Sequence, residues 1–245
     1  MKPLSGQTAL ITGAVRRIGR ATALELSELG ADIVINARSS RDEALAVQQE
    51  IQAAGGRAIV CLGDIRDEVF VSQMIDQTIE AFGRLDILVN NASIRADSEF
   101  LSLSLAEWKD VTSIILDGAF VCAKAALPHI LKTGAGRIVN VGGVSAHIGA
   151  ANRAHVVSAK AGIVGLTRAL ACEFSPRGVT VNCVVPGKIG GKRSATSGKG
   201  IDAAPITPEE GTVEDVARMI AHLCLPASRY ITGQSLHVSG GMWMP

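Results

Sequence analysis

The strongest constraint on this chain is an alternation along its length, in which short continuously apolar runs are separated by amphipathic stretches of helical period. The apolar runs are Thr8–Thr12, Ile33–Asn36, Ala58–Leu62, Leu85–Val89, Arg137–Val141, Val179–Val184 and Ser235–Val238. Between them the sequence predicts helices over Arg17–Leu29, Asp42–Ala54 and Glu68–Phe82, and two helical stretches around Leu105–Leu131. Further helices are predicted over Asn152–Phe174 and Val213–Leu225. Gly30, the pair Gly55 and Gly56, and Gly83 close the first three helices. A strand that is apolar on both faces must be covered on both faces. The pattern therefore predicts an α/β fold in one domain over residues 1–245, a doubly wound, mainly parallel sheet with helices on each side.

Composition narrows the function classes. Apolar residues make up 47% and charged residues 19% of 245, which fits a packed interior and not a disordered chain. A formal net charge of +1 offers no broad basic field, so neither a nucleic-acid nor a membrane partner is expected. Cys61, Cys122, Cys172, Cys183 and Cys224 are widely spaced without a CxxC pair, which predicts reduced thiols, no bound metal and a cytoplasmic setting. The N-terminus enters a structured segment without an apolar signal region, and no 18-residue apolar run is free of polar interruption.

The segment Thr12-Gly13-Ala14-Val15-Arg16-Arg17-Ile18-Gly19 joins the first strand to the first helix. Its glycines permit a tight turn and close backbone approach, and the helix start offers unsatisfied N–H groups to a pyrophosphate. A plain strand-to-helix connection has the same appearance, but here the turn opens a series of matching α/β units. Asp64-Ile65, Asn90-Asn91-Ala92-Ser93, Pro186-Gly187, Tyr230-Ile231-Thr232-Gly233-Gln234 and Val238-Ser239-Gly240-Gly241 follow in order.

Together these segments resemble the short-chain dehydrogenase/reductase family over roughly residues 5–241. The resemblance implies a Rossmann fold, a nicotinamide dinucleotide cofactor, a small-molecule substrate and self-association, most often as a homotetramer. Thr12, Gly13 and Gly19 match the family's TGxxxGxG turn, while Arg17 stands at its middle glycine, as in the TGxxRxG variant of pteridine-reductase-like members. By the same resemblance Asp64 and Ile65 contact adenine, Asn91, Ala92 and Ser93 form the NNAG-like segment, and Pro186, Gly187 and Ile189 lie on the nicotinamide side.

The end of the second strand bears on which nucleotide is bound. An acidic residue there bonds the ribose hydroxyls and repels a 2′-phosphate, whereas this chain reads Ala37-Arg38-Ser39. Arg38, Ser39 and Arg16 form a candidate phosphate site, which favours NADP(H); the plain alternative is a solvated basic edge.

The family's catalytic element is a helix carrying YxxxK, with a serine thirteen residues before the tyrosine. Here Lys160 fits the lysine, Val156 stands at the tyrosine, and Gly143 at the serine. Ile115 aligns with the asparagine that often supports the group. Valine carries no transferable proton, and Tyr230, the only tyrosine, lies seventy residues after Lys160. His155 is a candidate substitute donor, although its side chain leaves the helix about 140° away from that of Lys160. Ser145 and His147 resemble pocket-lining positions, with backbone capping the alternative for Ser145. Arg153 and Arg95 suggest an anionic substrate or, equally, salt bridges. Lys188, Lys192, Arg193 and Lys199 make a basic loop that reads either as a lid over an anion or as a solvated connection.

Three functions compete. The first is a divergent NADP(H)-dependent oxidoreductase with Lys160, Ser145 and His155 as candidate catalytic residues. An enoyl-reducing form would depend less on the missing tyrosine. The second is a non-catalytic nucleotide-binding subunit or sensor. The third is a non-redox enzyme on the same scaffold.

Overall fold

The computed structural model describes residues 2–191 and 203–244. Seven parallel strands form one sheet in the order β3-β2-β1-β4-β5-β6-β7. They are β1 (Thr8–Ile11), β2 (Asp32–Ala37), β3 (Ala58–Leu62), β4 (Ile87–Asn90), β5 (Arg137–Val141), β6 (Thr180–Pro186) and β7 (Ser235–Val238). The helices are α1 (Arg17–Glu28), α2 (Arg41–Ala53), α3 (Glu68–Phe82), α4 (Leu105–Thr112), α5 (Gly118–Ile130), α6 (Ser145–Ile148), α7 (Ala154–Phe174) and α8 (Val213–Cys224).

Each strand feeds both faces of the sheet because alternate side chains point in opposite directions. Ala9 and Ile11 of β1, Ile33 and Ile35 of β2, and Val139 of β5 join one core with Leu26 of α1 and Val216 and Ile220 of α8. Leu10, Val34 and Ile138, the alternate residues of the same strands, join the other core with Met74 and Ile75 of α3 and Val121 and Ile130 of α5. Fully burying one such side chain contributes about 1.5–3 kcal/mol, so both helical layers are held by the same β-branched strands. Strand order reverses between β1 and β4, and a crevice opens there beyond the strand ends.

Several boundaries move from their expected places. β4 starts at Ile87 and not Leu85, because the Asp86 carboxylate takes the Thr8 N–H at 2.9 Å and two bonds from the Arg84 guanidinium. β6 continues through Pro186, whose carbonyl accepts from Val144 N–H at 2.9 Å. The glycine-bearing loop after β5 contains the short helix α6, which periodicity does not signal over four residues. The two helical stretches before β5 are joined through a π-helical turn at Ser113–Asp117. The resulting run, Leu105–Thr133, is long and apolar enough to cross a membrane on length and composition alone; 56% of its apolar window is instead buried within the fold.

A polar stitch crosses the middle of the sheet. Asn90 Nδ2 donates to Asn140 Oδ1 at 2.9 Å, and Asn140 Nδ2 donates to Thr167 Oγ1 at 2.9 Å, linking β4, β5 and α7. Asn140 is fully buried, so its loss removes one hydrogen bond from each of two neighbours inside the fold. Asn140→Ala is expected to lower the unfolding free energy by about 1–3 kcal/mol, measured by urea denaturation; an unchanged midpoint would remove the stitch from the account of stability.

Candidate functional site

The glycine turn lies at the crevice and is tied to both flanking strands. Thr12 Oγ1 accepts the backbone N–H groups of Asn91 and Ala92, each at 3.0 Å. Asn91 Nδ2 returns the connection, donating to the carbonyls of Thr12 at 2.9 Å and Gly13 at 3.0 Å. Ala14 N–H reaches Asn36 O on β2 at 2.9 Å. A Cβ at Gly19 would lie 2.2 Å from Gly13 O, so the turn and α1 pack at a distance that only glycine allows.

The start of α1 is chemically distinct from those of α3, α4 and α8. Those helices are capped by Asp67, Ser104 and Thr212, whereas α1 has no side-chain cap bond and no acidic residue in its first turn. Its first amides and the helix dipole are thus free of a built-in anion, and with the Gly13–Gly19 approach they fit a dinucleotide pyrophosphate. Ile18 is partly buried against the core beside this turn.

Arg17 opens α1 with φ of +48°, a left-handed conformation that costs a non-glycine residue about 1–2 kcal/mol. Its guanidinium Nη2 donates to Ile189 O at 3.1 Å and Gly190 O at 3.0 Å. Arg17 therefore spans from the turn to the segment after β6. That segment is itself fixed: Gly187 N–H donates to Val238 O at 2.9 Å, and a Cβ at Gly187 would meet Ser239 Cα at 2.6 Å. Ile189 is buried and bridges to Gly211.

The adenosine end is less open than the sequence suggests. Arg16 Nε donates to Glu43 Oε2 at 2.6 Å, while Arg38 and Ser39 are exposed just beyond β2. Asp64, expected to face adenine, bonds the Arg66 guanidinium through both carboxylate oxygens, and Arg66 also reaches Asp110 of α4 at 2.7 Å. That contact holds the Asp64 carboxyl below its usual range. The Ile65 side chain belongs to the core, where its Cδ1 lies 2.5 Å from a Cβ built on Gly118. Ser93 is exposed, and its hydroxyl donates to Ile94 O at 3.4 Å.

At the expected catalytic position the chain is apolar. Val156, Ile115, Val144, Cys183 and Val185 are buried in one cluster, bordered by Ile94, Ile148 and Met242. Ile115 occupies the π-helical turn, so the backbone irregularity is present without an amide side chain. Lys160 is buried beside this cluster, donates from Nζ to Val141 O at 2.6 Å, and has its pKa lowered to about 8, chiefly by burial. The Cys183 thiol, within electrostatic reach of Lys160, is pushed up to about 11 by burial.

The remaining candidates separate. Ser145 is buried at the start of α6, and its Oγ lies 3.8 Å from a Cβ built on Gly143. It therefore borders the position that lacks a serine. His155 is buried with Nδ1 unpaired, within electrostatic reach of Glu107 at the start of α4. His147 turns toward the C-terminal segment, with its ring centroid 4.6 Å from that of His237 and 6.3 Å from that of Trp243. Arg153 donates to Asp97 at 2.5 Å with its side chain almost wholly buried, and so its charge is already balanced within the fold. Lys188 pairs with Glu210 at 2.9 Å, while Lys192, Arg193 and Lys199 lie outside the described residues.

Sequence reasoning missed Glu43, Arg66 and Asp97 as partners of these groups. Only Arg66 carried a local signal, standing two residues from Asp64. A separate cavity of about 660 Å³ is lined by Lys188, Glu210, Arg218 and His237 among others, and by none of the expected cofactor residues.

Comparison with known proteins agrees with this geometry. The family model described as enoyl-(acyl carrier protein) reductase matches residues 13–243. A 3-oxoacyl-(acyl-carrier-protein) reductase of Synechocystis is 41% identical over 250 residues, covering 100% of both chains. A hydroxy(phenyl)methylsuccinyl-CoA dehydrogenase subunit, BbsD, of Thauera aromatica is 38% identical, covering 97% of each. The crystal structure of a short-chain dehydrogenase from Burkholderia cenocepacia in complex with NADP superposes with a TM-score of 0.91 at 36% identity, covering 98% of this chain and 99% of that one. With the parallel sheet, the glycine turn at its switch point and end-to-end similarity to these proteins, the chain belongs to the short-chain dehydrogenase/reductase family.

Proposed function

We propose that this chain is an NADP(H)-dependent oxidoreductase of an acyl-type small molecule that works without the family's serine–tyrosine pair. The observation that carries this reading is an apolar cluster of Val156, Ile115 and Val144 beside buried Lys160, next to a glycine turn built for a dinucleotide. Gly13, Arg16, Arg17, Ile18 and Gly19 are assigned to the phosphates, and Arg38 and Ser39 to the adenosine edge with Asp64 and Ile65. Asn91, Ala92 and Ser93 are assigned to the crevice floor, Lys160 to the nicotinamide ribose, and Pro186, Gly187 and Ile189 to the carboxamide side. The bound nicotinamide supplies hydride chemistry.

The protein's own residues favour one substrate type over another. A ketone reduced at this site becomes an alkoxide that needs a proton at its oxygen, and Val156 has none to give. An activated alkene shares the developing negative charge between oxygen and the α-carbon, so solvent can supply the proton. Lys160 contributes positive charge nearby, and Ser145 is the hydroxyl closest to the vacant serine position. Arg153 is committed to Asp97 and so is not assigned as a receptor for an anionic substrate. Self-association, as a tetramer, is proposed from family membership and from half-exposed Phe120 on α5.

A second reading, a nucleotide-binding subunit of a larger dehydrogenase, is favoured by the same loss of proton-transfer groups, and the Thauera relative is itself a subunit. Turnover separates the two. With NADPH oxidation followed at 340 nm, a 2-enoyl thioester is expected to be reduced faster than the matching 3-oxoacyl thioester. Val156→Tyr combined with Gly143→Ser is expected to raise 3-oxoacyl reduction by about 10²–10⁴-fold. Tight NADPH binding with no turnover of either substrate would sink the first reading and support the second.

Lys160 gives a pH signature. Its folded-state pKa of about 8 lies below the ordinary 10.5. Between these values the unfolded chain binds more protons than the folded one, so stability rises with pH through that window. The difference in unfolding free energy between wild type and Lys160→Met is expected to be flat below about pH 8 and to move in favour of wild type toward pH 10. Denaturant titrations across pH 7–10 measure it, and parallel curves would place Lys160 at its ordinary pKa.

A further inference from the structure

Among the described residues, two helix starts close a reciprocal capping box. Ser104 and Glu107 do so on α4, and Thr212 and Asp215 on α8. Ser40 and Glu43 stand in the same spacing at the start of α2, yet Ser40 makes no side-chain cap bond there. Glu43 is turned away to Arg16, at 2.6 Å from Nε, and Ser40 Oγ receives a long contact from Arg16 Nη2 at 3.5 Å. Both partners of the open box thus converge on Arg16, a residue of the glycine turn that forms the candidate phosphate site with Arg38 and Ser39.

Building on the NADP(H) reading, we propose that Glu43 is a displaceable counterion that sets how strongly this site prefers a 2′-phosphorylated adenosine. Without that phosphate, Glu43 holds Arg16. A 2′-phosphate bound by Arg16 brings more than one negative charge beside the Glu43 carboxylate and drives it off. Glu43 then returns to the Ser40 N–H and closes the box, which offsets part of the lost ion pair. Both arrangements keep an acidic group against the start of α2, where the helix dipole favours it. A nucleotide lacking the phosphate leaves the Arg16–Glu43 pair in place, so the carboxylate opposes only the phosphorylated ligand.

The pair is exposed, at 62% and 43% of the two side chains, so its effect is modest. Glu43→Gln retains a residue able to close the box but removes the competing charge. Isothermal titration with 2′,5′-ADP and NADPH is expected to give Kd values about three- to fivefold lower for Glu43→Gln than for wild type. The Kd for NADH is expected to stay within about twofold. In wild type, NADPH is expected to slow hydrogen exchange at the Ser40 amide, whereas NADH is not. Arg16→Met tests the underlying reading separately, since it should erase the preference for NADPH over NADH. If Arg16→Met does so while Glu43→Gln leaves NADPH binding unchanged or weaker, the Glu43 proposal is overturned alone. If Arg16→Met changes neither nucleotide, the placement of the phosphate at Arg16 fails, and the proposal with it.

Discussion

The crevice at the switch point depends on one reciprocal stitch between the ends of β1 and β4. Thr12 Oγ1 takes two backbone N–H groups from Asn91 and Ala92, and the Asn91 amide gives two bonds back to the carbonyls of Thr12 and Gly13. Parallel neighbours at a switch point diverge beyond their last ladder bonds, so their terminal polar groups face an opening and need other partners. A short hydroxyl and a short amide satisfy four such connections while keeping the backbone close enough for Gly19 to pack on Gly13. The shape offered to a pyrophosphate is a consequence of that satisfaction. Because the stitch is made by side chains that do not themselves transfer protons, it does not depend on which residues α7 carries.

What differs at α7 is the set of side chains and not the scaffold. Val156, Ile115 and Gly143 put apolar or absent side chains at three positions where the family resemblance expects a hydroxyl, an amide and a second hydroxyl. A lone replacement would leave buried polar neighbours without partners, each costing about 1–3 kcal/mol. Replacing all three lets the region close as a hydrophobic cluster with Val144, Cys183 and Val185. Lys160 then has no phenol to serve. Its ammonium turns to Val141 O, and burial moves its pKa down to about 8. The same burial that stabilises the cluster makes the remaining cation easier to neutralise.

The sheet was legible because its code is local. Runs such as Ile33-Val34-Ile35 and Ile138-Val139 state both strand identity and burial on two faces, and the glycines at helix ends mark where each crossover turns. The site was legible only in part, since its electrostatics are set by partners far apart in the chain. Arg16 and Glu43 are 27 residues apart, Arg153 and Asp97 are 56, and Arg17 and Ile189 are 172. Arg153 reads equally as an anion receptor or a salt-bridge partner until Asp97 is placed against it. Arg16 reads as part of a phosphate site until Glu43 is placed against it. A basic side chain in a sequence states a charge; only the fold states whether that charge is already balanced.

Arg17 shows the same principle at the level of the backbone. A φ of +48° is unfavourable for arginine, and glycine at this position would relieve it. What opposes the strain is reach: the guanidinium bonds Ile189 O and Gly190 O, on the far wall of the crevice. Next to them Gly191 sits at φ +95°, where a Cβ would come within 3.4 Å of Arg17 Nη1. A side chain at 191 would touch that arginine at contact distance, and the positive φ there is one that glycine adopts most readily. The arginine in the glycine turn and the Ile189–Gly191 segment are thus two sides of one contact, in which a strained residue on one wall holds the other.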